Sequence, residues 1–259
     1  MASQPPANLP LFYKNLIPLQ SGPHSAYRAK GTDKAPFFAG THAVPLTIDE
    51  FVLSQRHYPI VFSAGENPVP LGLFGLNEGV NVYVEADGTL KREVYVPAYV
   101  RRYPYLLARL TPDAQELSLC FDPESGLLGD GGDGQALFEN DKPSEATNAI
   151  LKFCEEFELS AQRTAAFMKE LIDMELLMDG EVAIQVEGQE QPYVYRGFQM
   201  VNEEKFRDMR GDELRKINQN GILPLIMAHL FSLSLVRDVF GRQMAEGRIP
   251  AAGPALSFA

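Results

Sequence analysis

Tryptophan is absent from this chain, and cysteine nearly so: Cys120 and Cys154 are its two thiols among 259 residues. They share no CxxC spacing. That excludes a disulfide-stapled scaffold and a thiolate zinc ribbon, and it predicts two buried, reduced, inert thiols. Histidine is also scarce. His24, His42, His57 and His229 form no H-x-D, H-x-E or HExxH pattern, so local iron-oxygenase and zincin motifs are excluded. There is no G-x-S-x-G elbow and no Walker loop. The glycines of "LGLFGLNEG" have the wrong spacing for a phosphate cradle. Adjacent acidic pairs, Asp49-Glu50 and Glu155-Glu156, point apart on a helix and cannot face each other across a glycosidic bond.

Long apolar runs are missing too. No window reaches ~18 uninterrupted apolar residues, so no transmembrane helix is expected. The start, "MASQPPANLPLFYKNLIPL", has no charged segment leading into an apolar one. No signal peptide is read, and the expected compartment is the cytoplasm. Positive charge is in short supply: 23 basic against 34 acidic residues, a formal net charge of −11. Such a surface repels phosphate backbones and anionic lipid, so neither nucleic acid nor membrane insertion is expected.

The chain is 45% hydrophobic and 22% charged, enough to build a core without metal or disulfide. Residues 1–10 read as a flexible lead. Residues 11–140 read as a mainly β region with short helices, 141–240 as helices with a β-hairpin, and 241–259 as a flexible tail; one domain over 11–240 is the alternative division. The fold class is α+β, with a mostly antiparallel sheet in the N-terminal part.

Within this frame "LFYKNLIPL" is a candidate strand. Thr47 with Glu50 three residues on has capping-box spacing for a short helix that Pro59 ends. "IVFSA" is a strand, and "VNVYVEADGTL" alternates valines with polar residues before an "ADG" turn, as a half-buried strand does. "YLLARL" and "QELSLCF" form a hairpin around "TPDA". Ser144–Asp179 steps apolar residues by three or four, a long amphipathic helix stopped by Gly180. "EVAIQVEG" and "PYVYRGFQMV" form a second hairpin, and "ILPLIMAHLFSLSLVRDVF" is a final apolar helix, its Pro224, His229, Arg237 and Asp238 favouring a core or interface position.

Two segments echo each other 45 residues apart, "RHYPIVF" (Arg56–Phe62) and "RRYPYLL" (Arg101–Leu107). Each sits between a short helix and a strand. Proline stops the helix, basic residues suit the negative end of its dipole, and tyrosine buries its ring while its hydroxyl finds a partner. A structural junction accounts for all four positions; a basic-aromatic binding signature is the rival reading. The Gly- and Asp-rich stretch Phe121–Glu145 fails as a calcium loop: counted from Asp130, glycines fall at the third and fifth positions and Asp141 at the twelfth. It reads as a surface loop. His42, in a Gly-flanked junction, and Arg101, Arg102 and Tyr103 are the candidates for a site assembled from distant residues. His229, on an apolar helix, reads as hydrogen-bonded core. No cofactor and no metal are expected.

The pieces "GTHAVPLTIDEF", "RHYPIVF", "VPAYVRRYP", "LSLCFD", "GFQMVNEEKF" and "AHLxSL" occur in an order that resembles the SapC-like family of bacterial proteins, over about Leu11–Leu235. The resemblance implies a bacterial accessory protein, from a family named after a surface-layer locus and often encoded beside TonB-dependent receptor, halogenase-like and cupin-like genes. It carries over no catalytic residue. The expected function is an accessory or binding protein taking a protein partner or a small ligand, with a homo-oligomer formed through the C-terminal helix. An enzyme around His42 and Arg101–Tyr103 is the first alternative, and a surface-layer structural protein, which would require export, the second.

Overall fold

The computed structural model describes residues 9–249, with 92, 112, 114 and 115 excepted, and residues 256–257. The expected lead over 1–10 therefore lies mostly outside them, as do part of the "TPDA" turn and much of the tail. The class is α+β, as expected: antiparallel sheets, none closed into a barrel, with several helices. The chain divides into two compact units, Met1–Ala35 with Val100–Leu159, and Pro36–Tyr99 with Ser160–Ala259.

The first unit holds the hairpin Tyr105–Ala108 and Ser118–Phe121, with Ile17–Pro18 added antiparallel to its second strand. Only these two residues of "LFYKNLIPL" pair as a strand. Tyr13 instead turns inward, 6% exposed, and donates its hydroxyl to the Tyr105 carbonyl at 2.7 Å. A second antiparallel set pairs Tyr27–Ala29 with Leu128–Asp130 and Gln135–Ala136, so the Gly/Asp-rich stretch supplies edge strands to a sheet. Phe121, Leu128, Leu137, Tyr105 and Cys154 form the core here.

The second unit is built on a five-stranded antiparallel sheet ordered Leu177–Asp179, Phe198–Val201, Ile60–Ser63, Pro70–Leu73, Ala43–Pro45. Ile60, Val61 and Phe62 have no exposed surface, as expected of a central strand covered on both sides. Gly72 is in this sheet because of its neighbour. A Cβ there would lie 2.7 Å from the Tyr58 ring. Gly75 is likewise closed in, by the Val80 carbonyl. Both glycines of "LGLFGL" thus serve close packing.

Three expectations are corrected. "VNVYVEADGTL" is no alternating strand: Val82, Tyr83 and Val84 are all buried, the isolated bridge Val84–Leu90 closes the segment on itself, and the Val82 N–H bonds to the Phe74 carbonyl at 2.9 Å. Asn81, with no exposed surface, donates to the Phe38 and Thr41 carbonyls, and Tyr83 packs on Phe74 and donates its hydroxyl to the His57 carbonyl at 2.7 Å. Both faces are therefore covered, and the period-2 pattern carried no in-out meaning. The long helix runs Glu145–Asp173 and stops before Gly180, because Glu175 turns to φ 50° and Leu177–Asp179 leaves as an edge strand. "PYVYRGFQMV" is cut at Gly197, whose φ of 89° lies where glycine alone is at ease. Tyr193–Arg196 pairs with Val182–Ile184, as the expected hairpin, while Phe198–Val201 joins the five-stranded sheet.

The final apolar segment is helical over Ile222–Ser232 and Val236–Ala245, linked by a 3-10 turn. Its 24 residues are long and apolar enough to cross a membrane. In the second unit it is tied by polar bonds. His229, with no exposed surface, accepts the Val201 N–H on Nε2 at 3.1 Å and donates from Nδ1 to the Ile60 carbonyl at 2.8 Å. The Ser232 hydroxyl donates to the His229 carbonyl and accepts the Ile60 N–H at 2.9 Å. Strand pairing stops at Phe62–Gln199, and the imidazole bridges the two strands just beyond. "AHLxSL" is therefore a clip across a strand pair, and His229 is hydrogen-bonded core, as its sequence setting indicated.

Candidate functional site

The second Tyr-Pro junction lies in the first unit. Arg101 and Arg102 end the short helix Ala98–Arg102, and their guanidinium carbons stand 5.2 Å from the Phe153 ring centre and 4.1 Å from that of Phe157. These phenylalanines are one turn apart on the long helix, so two consecutive arginines meet two rings of one face. Arg102 is 8% exposed and also pairs with Glu158 at 3.4 Å. The Tyr103 hydroxyl faces the buried Asp122 carboxylate at 3.4 Å, and that carboxylate also accepts the Lys14 and Glu124 N–H groups at 2.8 and 2.9 Å. Burial, reinforced by Asp122, pushes the Tyr103 hydroxyl up to about 12.

In the first copy Tyr58 is fully buried, its hydroxyl 3.1 Å from that of Ser54. Both junctions lead from a short helix into a strand, and Tyr103–Pro104 is cis. Both bury their tyrosine against the unit they belong to.

The four residues singled out in the sequence are divided between the units. Arg101, Arg102 and Tyr103 belong to the first. His42 belongs to the second, where its carbonyl accepts the N–H groups of Phe74 and Gly75 at 2.6 and 3.1 Å. Burial lowers the His42 imidazole, with Glu78 opposing the shift. The thiols behave as expected. Both are buried, and burial raises Cys120 and pushes Cys154 up to about 11, which disfavours the nucleophilic thiolate. Among the described residues no cluster of three or more His, Cys, Asp or Glu side chains is placed to hold a metal ion.

Glu50 is a polar node whose reach was not legible. It caps Thr47 as the spacing predicted, its Oε2 accepting the Thr47 N–H at 3.0 Å and hydroxyl at 2.9 Å. Its Oε1 accepts the Ala98 N–H at 2.6 Å and the Tyr95 hydroxyl at 3.1 Å. At 3% exposure the carboxylate is satisfied by four donors, so it fastens the start of the next helix rather than serving as a base.

The feature that sequence reasoning missed is a cleft of about 770 Å³ in the second unit. Ala39, Gly40, Val84 and Ala86 give it an apolar lining, and Glu85, Lys91, Glu246 and Arg248 give it charge. Lys91 comes from the end of the "ADG" turn. Glu246 is the residue that closes the last helix, inside the segment expected to be tail. The Glu246 carboxylate takes Lys91 Nζ on one oxygen at 2.6 Å and Arg248 Nη1 on the other at 3.3 Å. Against the upward push of partial burial, those two cations hold Glu246 below the usual carboxylate range.

Arg248 is fixed independently of Glu246. It donates to the Asn81 carbonyl at 3.0 Å and the Gly79 carbonyl at 3.2 Å, and its backbone N–H reaches the Gln243 carbonyl at 2.8 Å. Gln243 has no exposed surface and is itself held, accepting the Leu76 N–H and donating to Asn77 Oδ1 at 2.9 Å. Arginine and lysine here lie more than 150 positions apart in the chain, and no local motif announces them.

A hollow with an apolar lining and paired charges on its wall, Arg248 held in place by two backbone carbonyls, defines an α+β protein with a small-molecule-sized cleft. The SapC family model matches residues 19–239, and the chain belongs to the SapC family. Lys91 falls within the matched stretch; Glu246 and Arg248 follow it. No curated protein and no solved structure matches the chain.

Proposed function

We propose that this SapC-family protein is an accessory binding protein whose small-molecule ligand occupies the cleft between Ala39–Gly40, Val84–Ala86 and Arg248. The cleft itself carries the reading. Its volume of about 770 Å³ falls within the ~300–1,000 Å³ usual for small-molecule sites, and it combines an apolar lining with a few fixed polar groups, as such sites do. The family resemblance supports a role beside TonB-dependent uptake.

The test is to purify the protein natively, release bound small molecules by denaturation and identify them by mass spectrometry. Ala86→Trp fills the hollow. A ligand present on the wild-type protein should be absent from Ala86→Trp, with circular dichroism unchanged. Equal ligand on both proteins places the binding elsewhere and sinks the proposal.

A further inference from the structure

We infer that the cleft recognises an organic monocarboxylate, and that Glu246 occupies the carboxylate position in the ligand-free protein. The inference rests on reading the cleft as the binding site. Its ground is the pair of cations that face the hollow. Lys91 Nζ and Arg248 Nη1 converge on one carboxylate, each on its own oxygen. A carboxylate between an ammonium and a guanidinium is the strongest simple pairing that side chains offer. Arg248 does not need Glu246 to stay in place, because two backbone carbonyls already hold its guanidinium.

Glu246, by contrast, stands where its charge is unwelcome. It is the residue that ends the Val236–Ala245 helix, and the negative end of a helix disfavours a carboxylate. It stays because Lys91 and Arg248 neutralise it. Its side chain is 29% exposed, so it can swing outward and yield both cations to another carboxylate. Glu85 lines the same hollow. With Glu246 swung out, Glu85, Lys91 and Arg248 leave one net positive charge, which a single carboxylate neutralises and a polyanion exceeds. Ala39, Val84 and Ala86 then receive an apolar body.

The probe is hexanoate, with hexanamide as its neutral isostere. Each is titrated into the full-length protein while the backbone amide signals of Gly40 and Ala86 are followed by nuclear magnetic resonance. Hexanoate should shift both signals, and hexanamide should not. Glu246→Gln removes the internal competitor, keeps the shape and should tighten hexanoate about tenfold, equivalent to ~1.4 kcal/mol. Lys91→Met should abolish the response.

Equal shifts with acid and amide overturn the inference while leaving the cleft a binding site. So does an unchanged hexanoate affinity in Glu246→Gln. Absence of any shift in both proteins also overturns it, and the native-ligand experiment then judges the binding reading separately.

Discussion

Acidification loads a proton onto His229 for which its surroundings have no place. One ring nitrogen donates to Ile60 and the other accepts from Val201, so a second ring proton would face the Val201 N–H head on. Burial lowers the imidazole to about 4, with the bond to Ile60 opposing, from the ordinary 6.5. Between these values the unfolded chain binds the proton and the folded one does not. Stability therefore falls as pH drops from 6.5 towards 4, is complete above that window, and loses nothing further from this group below it. At about 1.4 kcal/mol per pH unit the loss is roughly 3 kcal/mol, a large share of the ~5–15 kcal/mol of a typical domain.

Urea unfolding at pH 7, 6, 5 and 4 measures it. His42, also lowered by burial, adds to the same slope, so a His229→Gln control is needed. That variant should start about 1–3 kcal/mol less stable at pH 7, from the two bonds it disturbs, and should lose much less on going to pH 4. Parallel curves for the two proteins would refute the reasoning.

Gly72→Ala places a methyl against the Tyr58 ring in a sheet with no room to shift, and thermal melting should show a loss of about 1–3 kcal/mol. Glu50→Gln puts an amide N–H₂ among four donors that now point at a carboxylate; unfolding titrations should show a loss of about 2–3 kcal/mol. Arg102→Gln should cost stability, about 1–3 kcal/mol from the lost ring stack and the stranded Glu158, while ligand recovered from the native protein stays the same; loss of ligand at full stability would restore Arg102 as a binding residue. Cys120 and Cys154 should react with a thiol reagent at pH 8 only as fast as the protein unfolds, and rapid labelling of the native state would contradict their burial.

Local signals were legible where local physics decides. Thr47 and Glu50 announce a cap, Pro104 announces where a helix stops, and the three-four stepping after Ser144 announces the long helix; the first short helix ends already at Ser54, ahead of Pro59. Where burial from both sides overrides a local rule, the reading failed. Val82 to Val84 alternate in sequence, yet Asn81 and Tyr83 are buried by partners forty residues upstream and at His57. The cleft was illegible for the same reason. Lys91, Glu246 and Arg248 acquire meaning only through contacts that close over most of the second unit, and a Gly/Pro/Ala-rich tail gave no hint that Gln243 and Arg248 are pinned.

The five-stranded sheet pairs Ser63 with Phe198, and between them the chain contributes Val100–Leu159 to the other unit. During synthesis this imposes an order. The first unit has all its segments once Leu159 has emerged. The second must hold its hydrophobic Ala43–Leu73 strands without the neighbouring Phe198–Val201 strand until Val201 exists, and without the His229 clip until the last helix follows. Its most apolar strand, Ile60–Ser63, is therefore born with one edge open for well over a hundred residues of elongation, which makes that edge the place where premature association with another chain has to be prevented.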